Sequence, residues 1–480
     1  MNLVKEVMET LRSEVAQSVA KAKEAGKLNY ETCPDFIIEV PKDKDHGDFA
    51  SNVAMTLTKQ AKMKPRDIAQ AIVDQLDMEG GVVDHVEIAG PGFINFYLKP
   101  QWIYAILPAV QAEDTAFGSS DMGAGQKVQV EFVSANPTGL LHMGNARGGA
   151  LGDSLTNCMR MAGYEVSKEY YINDAGNQII KLGKSLEARY FQELGQTDYP
   201  FPEDGYHGVD IIDTAKHIIA EVGDAYTQLS EEERLAKMTK TALAEKLAGI
   251  QKGLAAFGVE YDVWFSEQTL HDSGAIFAVV DELAEKGYVY EKDGAKWLKT
   301  TEFGDEKDEV LVRANGIPTY FAADIAYHKN KFDRGFERVI NIWGADHHGH
   351  VARMKGAMQA LGYDPERLTI ILMQLVRLYQ NGELVRMSKR TGQFVTLEEL
   401  IEEVGKDAAR YFFVMRNPDS HLDFDLDLAK KESSDNPVYY VQYAHARICS
   451  ILSAAGMDVP QAESVDLTVL THPAEPDLIR

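Results

Sequence analysis

Glu131-Phe132-Val133-Ser134-Ala135-Asn136-Pro137-Thr138-Gly139-Leu140-Leu141-His142-Met143-Gly144-Asn145 decides how this chain is read. Apolar residues alternate from Val128 to Val133, which predicts a strand; Pro137 and Gly139 break it, and a helical pattern runs from about Asn145 to Tyr164. A loop from a strand's end to a helix's start is where open α/β sheets bind ligands, because the helix offers unpaired N–H groups and a positive dipole end to phosphate. Gly144 lets a nucleotide approach the backbone closely, and His142 and Asn145 can donate hydrogen bonds to phosphate or ribose oxygens. The competing reading of His142 is an ordinary polar loop residue, since short motifs recur by chance.

A second signal lies far downstream. Leu368 to Leu378 is an apolar run that predicts a buried strand, followed by the turn Asn381-Gly382-Glu383 and a cationic loop from Arg386 to Gly392. Within it, Arg386-Met387-Ser388-Lys389-Arg390 sets three cations around a hydroxyl. Transfer at an α-phosphate builds charge on the departing pyrophosphate, which fixed cations stabilise more in the transition state than in the ground state. A solvated surface loop is the alternative for a lone basic cluster. The pairing of both loops points instead to an enzyme that activates an acid with ATP.

These residues resemble the class I aminoacyl-tRNA synthetases, and within them the arginyl-tRNA synthetase family. His142-Met143-Gly144-Asn145 stands where that class has its HIGH signature, and Arg386-Met387-Ser388-Lys389 where it has KMSK. Lys389 is retained, whereas Arg386 replaces the first lysine, Arg390 the trailing serine, and Asn145 the last histidine. The similarity continues through Tyr171-Ile172-Asn173-Asp174-Ala175-Gly176-Asn177-Gln178, Trp343-Gly344-Ala345-Asp346-His347-His348-Gly349 and Asn436-Pro437-Val438-Tyr439-Tyr440-Val441-Gln442-Tyr443.

The resemblance implies His142, Gly144, Asn145 and Lys389 as catalytic residues, joined at ATP by Gly344, Asp346, His347, Met387 and Ser388. Tyr320 and Asp324 lie four apart and share one helix face. By the family's Tyr-x-x-x-Asp pair, Asp324 binds the guanidinium, whose planar fork suits carboxylates, and Tyr320 packs beside it. Glu131 is then the second carboxylate, and Ser134 and Asn136 hold the α-amino or carboxylate end. Also implied are ATP with Mg²⁺, L-arginine and arginine tRNA, an arginyl-adenylate intermediate and transfer to the 2′-hydroxyl of the terminal adenosine; no zinc and a monomer are expected. The family characteristically needs bound tRNA even for activation.

The bulk properties agree. With 480 residues, 45% hydrophobic and 26% charged, the chain has room for two to four globular domains. No apolar run approaches the roughly 20 residues of a membrane span and no leader pattern opens the chain, so the cytoplasm is expected. Cys33, Cys158 and Cys449 are far apart and odd in number, which indicates neither disulfides nor a zinc site. His347, His348 and His350 follow the predicted strand Val339 to Trp343, where nucleotide or substrate contact is favoured over metal; Asp346 suits a ribose hydroxyl or an amino group. A net charge of −25 opposes an RNA partner, unless local clusters such as Lys59 to Arg66 serve it; a solvated helix end is their other reading.

The expected fold is α/β, a doubly wound parallel Rossmann-like sheet with an inserted helical subdomain. An N-terminal α+β domain (1–117) carries a helix through Val4, Leu11 and Val19 and strands at Phe36 to Val40, Val83 to Ile88 and Phe93 to Leu98. The resemblance implies that this domain reaches the tRNA elbow. The catalytic domain (118–380) follows a linker at Gly118 to Gly125, with its insertion at about 200–260; Tyr261 to Ser266 is read as core. In the connecting block (381–434), Thr396 and Glu399 form a capping box and Asp407 opens another helix through Arg416. Residues 435–480 begin what resembles a helical anticodon-binding domain; since such a domain needs on the order of another hundred residues, a truncated chain is expected, with the apolar face near Ile448 uncovered.

Two other classes compete. A small-molecule nucleotidylyltransferase shares the HxGH-type loop but needs neither the N-terminal domain nor the helix after Asn436. A non-catalytic RNA-binding relative is opposed by intact His142, Gly144 and Lys389, and ATP binding would separate the two.

Overall fold

The computed structural model describes residues 3–78, 81–385, 395–456, 458–472 and 474–479. The cationic stretch Arg386 to Arg390, and with it the expected contacts Met387, Ser388 and Lys389, lies outside the described residues. Two units are present: Asp121–Ile451, and Met1–Ser120 together with Leu452–Arg480.

In the larger unit five strands stand in the order Leu368–Met373, Arg338–Gly344, Lys127–Glu131, Glu165–Ile172, Val263–Ser266, every neighbouring pair parallel. The chain starts at the middle strand, winds outward one way and returns to fill the other side. The switch of direction falls between Lys127–Glu131 and Arg338–Gly344, and opens a crevice over their carboxyl ends. Strand alternation sends Val128, Val130 and Phe132 into one core with Ala146 and Ala150 of the helix Met143–Met161. Glu131 points to the opposite face, where the helix Tyr320–Asp333 lies.

The expected insertion is present. Helices Asn177–Glu193, Val209–Val222 and Glu231–Ala256, which fall in sequence between the strands Glu165–Ile172 and Val263–Ser266, bury Leu186, Tyr190, Ile211, Ile218 and Met238 against one another. An antiparallel sheet of Val289–Lys292, Ala295–Leu298 and Glu309–Val312 was not legible in the sequence.

Two sequence expectations need correction. The single strand over Leu368 to Leu378 is two, Leu368–Met373 in the parallel sheet and Val376–Gln380 in a second sheet with Glu383–Val385 and Leu422–Asp425. The break is at Gln374, whose N–H turns to Pro418 O and whose carbonyl accepts from the buried Arg147 at 2.7 Å. The block 381–434 is likewise not separate: helix Lys406–Val414 packs on Met143–Met161, and Phe412, Phe413 and Phe424 join that helix's core.

The smaller unit is the expected α+β layer, a sheet of Ile38–Glu39, Phe49–Ser51, Phe93–Leu98 and Val83–Ala89 under helix Leu3–Glu24. Arg66, from the basic cluster, donates to the carbonyls of Ile88 and Gly90, a structural task. Residues 452–480, expected to continue a helical block, pack within this unit: Tyr104 donates to Leu470 O at 2.7 Å and Gln111 to Pro460 O at 2.9 Å. Along helix Pro437–Ala455, Val441, Ile448 and Ile451 are exposed.

Candidate active site

The crevice holds a cavity of about 450 Å³, walled by Glu131, Ser134, Asn136, Tyr320 and Asp324, the five residues assigned to an amino-acid substrate from sequence. Thr319 caps the helix Tyr320–Asp333 by accepting from Ala322 N, which sets Tyr320 at the first turn and Asp324 one turn on. His350 Nε2 donates to Asp324 Oδ2 at 3.0 Å. Its ring packs near Trp343 and Phe321, so the carboxylate is aimed by a side chain itself wedged between aromatics.

Glu267 was missed by the sequence reading. It follows strand Val263–Ser266, the same strand-end position that marks the other loops, and lines the same cavity. Its N–H donates to Ile172 O at 3.0 Å, and Asp174 receives Ser266 Oγ and Gln268 N on either side. Burial raises its pKa above the usual carboxylate value, and Asp324 adds to this, against hydrogen bonds from His271 and Tyr171. The cavity thus gathers three carboxylates, suited to a cation.

The loop after Glu131 carries backbone strain. Val133 and Ser134 have φ of +68° and +39°, sparsely populated for non-glycine residues and costing about 1–3 kcal/mol each. Surrounding bonds enforce it: Tyr261 donates to Phe132 O, Tyr170 to Ala135 O, and Tyr171 N to Ser134 Oγ at 3.1 Å.

His142 and Asn145 first cap their own helix. Gly144 N donates to His142 Nδ1 at 3.1 Å, and His142 N to Asn145 Oδ1 at 3.0 Å. A Cβ on Gly144 would come 3.0 Å from the imidazole, so glycine is what lets the ring fold over the helix end. An accepting Nδ1 puts the ring proton on Nε2; desolvation lowers the His142 pKa and favours this neutral form. His142, Gly144 and Asn145 do not line the cavity, whereas Gly344 and His347 do. Asp346 stands apart, its side chain 82% exposed and 3.7 Å from His347.

Residues 9–98 match the family described as arginyl tRNA synthetase N terminal domain, and residues 107–438 the catalytic domain of class I (R) tRNA synthetases. An arginine–tRNA ligase of Moorella thermoacetica is 62% identical over 483 residues, all of this chain and 86% of that protein. One from Heliobacterium modesticaldum is 62% identical over 487 residues, with the same coverage. Among solved structures, a putative arginyl-tRNA synthetase from Campylobacter jejuni superposes with a TM-score of 0.71 at 38% identity, covering 78% of this chain and 82% of its own. The arginyl-tRNA synthetase of Thermus thermophilus, 22% identical with a TM-score of 0.64 over 98% of this chain and 85% of its own, shares the fold.

Proposed function

This chain belongs to the arginyl-tRNA synthetase family of class I, and from that premise we propose how its own residues carry out the reaction. It is an ATP-dependent arginine–tRNA ligase: arginine is activated to arginyl adenylate and passed to the 2′-hydroxyl of the terminal adenosine of arginine tRNA.

The guanidinium lies between Asp324 and Glu267, with Tyr320 at the mouth and Glu131 in the wall, while Ser134 and Asn136 take the α-amino and carboxylate end. The observation that carries this is the one cavity that holds all of these residues. The arginine carboxylate attacks the α-phosphorus of ATP in line, the bond to the bridging oxygen breaks, and pyrophosphate leaves with the electron pair. His142 Nε2–H and the end of helix Met143–Met161 face the phosphates, with Gly144 and Asn145 shaping that end; Lys389, with Met387 and Ser388 beside it, neutralises charge that grows on pyrophosphate. Gly344, Asp346 and His347 approach the adenosine. Mg²⁺ enters with ATP as part of the substrate. In the second step the 2′-hydroxyl oxygen attacks the acyl carbon, the bond from that carbon to the phosphate oxygen breaks, and AMP departs with the electron pair while the hydroxyl proton passes to the departing phosphate; no protein nucleophile intervenes.

We further propose that the N-terminal unit contacts the tRNA elbow, that residues from 435 onward belong to the anticodon-binding part, and that the enzyme is a cytoplasmic monomer. Among the described residues no helix is long and apolar enough to cross a membrane. The test is arginine-dependent exchange between ATP and pyrophosphate, with and without arginine tRNA. Exchange only with both supports the reading; no exchange together with no calorimetric binding of arginine or ATP would overturn it.

A further inference from the structure

Behind the arginine cavity lies a row of buried polar groups that the steps above leave unused. Sheet register sets Asn341, Glu131 and Glu169 side by side across three parallel strands. Lys331, fully buried on helix Tyr320–Asp333, donates to Glu131 Oε2 at 2.6 Å and to Asn341 Oδ1 at 2.8 Å. The Asn341 amide donates to His328 Nε2 at 2.6 Å, and His328 Nδ1–H donates to the Asp324 carbonyl at 2.7 Å. Burial first, then the Lys331 charge, hold the His328 pKa well below its ordinary value, which keeps the neutral tautomer this chain of bonds requires. A continuous relay therefore joins Glu131, through a cation, to the helix turn that carries Asp324.

Such a pair is weak as a stabiliser, since apolar residues of equal volume often do as well. What it controls is charge. Three carboxylates line a cavity that receives a single guanidinium, and one of them is already neutralised from outside the cavity. The Tyr171, Tyr261 and Tyr327 hydroxyls near Glu131 are kept protonated, chiefly by burial, and do not contribute.

We propose that Lys331 is a positioning residue that sets specificity for arginine: by neutralising Glu131 from behind, it leaves Asp324 and Glu267 to read the guanidinium, and through Asn341 and His328 it fixes the turn bearing Asp324. This rests on the arginine-pocket reading above. Without Lys331, an ionised Glu131 adds a third uncompensated negative charge to the cavity and a protonated one does not, so arginine binding comes to depend on pH.

The test uses the full chain with arginine tRNA, following kcat and arginine KM from about pH 6 to 9. In Lys331→Met, KM should fall with rising pH by up to about tenfold per unit more than in the wild type, without a matching change in kcat; in Lys331→Met/Glu131→Gln this added slope should vanish. A Lys331→Met profile like the wild type's, or an added slope that survives in the double variant, overturns the proposal. If Lys331→Met does not fold, Glu131→Gln alone strands the lysine charge beside a cation site and should raise arginine KM about tenfold or more, with recovery in the double variant; equal KM values in the two overturn it. Asp324→Ala measured alongside separates the failures. An unchanged KM there refutes the pocket itself, whereas a raised one beside a flat Lys331→Met profile refutes Lys331 alone.

Discussion

His142 and Thr396 are joined backbone to backbone as an isolated antiparallel bridge, and the next residue, Leu397, donates its N–H to Leu141 O at 2.8 Å. The signature loop and the chain that follows the cationic stretch are thereby one piece of structure, although some 250 residues separate them in sequence.

Thr396 also caps helix Leu397–Val404: its Oγ1 accepts from Glu399 N at 3.1 Å and its N–H donates to Glu399 Oε2 at 3.0 Å. Thr396→Ala is expected to cost about 1 kcal/mol of stability in denaturant unfolding. Because the bridge serves the phosphate side, kcat should fall by more than arginine KM rises. A variant with the stability loss and an unchanged kcat would refute the coupling.

Asp324→Ala removes a carboxylate proposed to read the guanidinium and strands the His350 donor. With a charge-assisted bond contributing about 1.5–3 kcal/mol, arginine KM should rise about 10- to 150-fold, while ATP KM stays within about twofold. Steady-state kinetics with each substrate varied decides it, and an equal rise in both constants would show general damage to the fold.

Glu267 gives a pH dependence with a definite sign. Its folded pKa is raised, mainly by burial, so on acidification it takes up a proton before an ordinary carboxyl would. Arginine KM should therefore climb as pH falls through that value, with proton release on binding below it. Glu267→Gln should show a high KM with this acid limb abolished; an identical limb in the variant would assign the titration elsewhere.

The large features were legible because they depend on local pattern: alternation gave the strand before the signature, Pro137 and Gly139 ended it, and Thr396 with Glu399 announced a helix start that is present. The carboxylate readers were legible only in part. Asp324 was picked out only by its resemblance to the family's Tyr-x-x-x-Asp pair, since spacing alone makes it an ordinary helix-surface acid, whereas Glu267 enters the cavity because its strand pairs beside Glu165–Ile172. Lys331 carries no local signal in the sequence; only the register that sets Asn341 beside Glu131 reveals its two bonds. The run Leu368 to Leu378 misled because apolar periodicity cannot tell which sheet a strand joins, and Gln374 sits at the change.

Gly152 lies on the signature helix flat against the buried ring of Phe132, where an added Cβ would sit 2.2–2.6 Å from ring carbons. In an open helix, Gly→Ala would gain about 0.5–1 kcal/mol. Here overpacking costs roughly 1–3 kcal/mol and should win, so Gly152→Ala is expected to lower the melting temperature and shift the ATP loop. A more stable Gly152→Ala protein would contradict this packing.

Asp153, one residue further on and buried, receives Lys168 Nζ at 2.8 Å, Arg410 Nη2 at 2.5 Å and Asn157 Nδ2 at 3.1 Å. Burial alone would raise its pKa, but the hydrogen bonds from Lys168 and Arg410 outweigh it and hold the folded value below the ordinary one. A depressed folded pKa means that its stabilisation is complete above the unfolded value, about 3.9, and is lost as pH falls through the folded one. Asp153→Asn leaves Lys168 buried without its counter-charge and should cost about 3–5 kcal/mol near pH 7. Comparing denaturant unfolding of the two proteins, the gap should stay constant from neutrality down to about pH 5 and narrow below it. A gap that instead narrowed towards alkaline pH would mean that loss of the lysine proton, and not the carboxylate, governs this cluster.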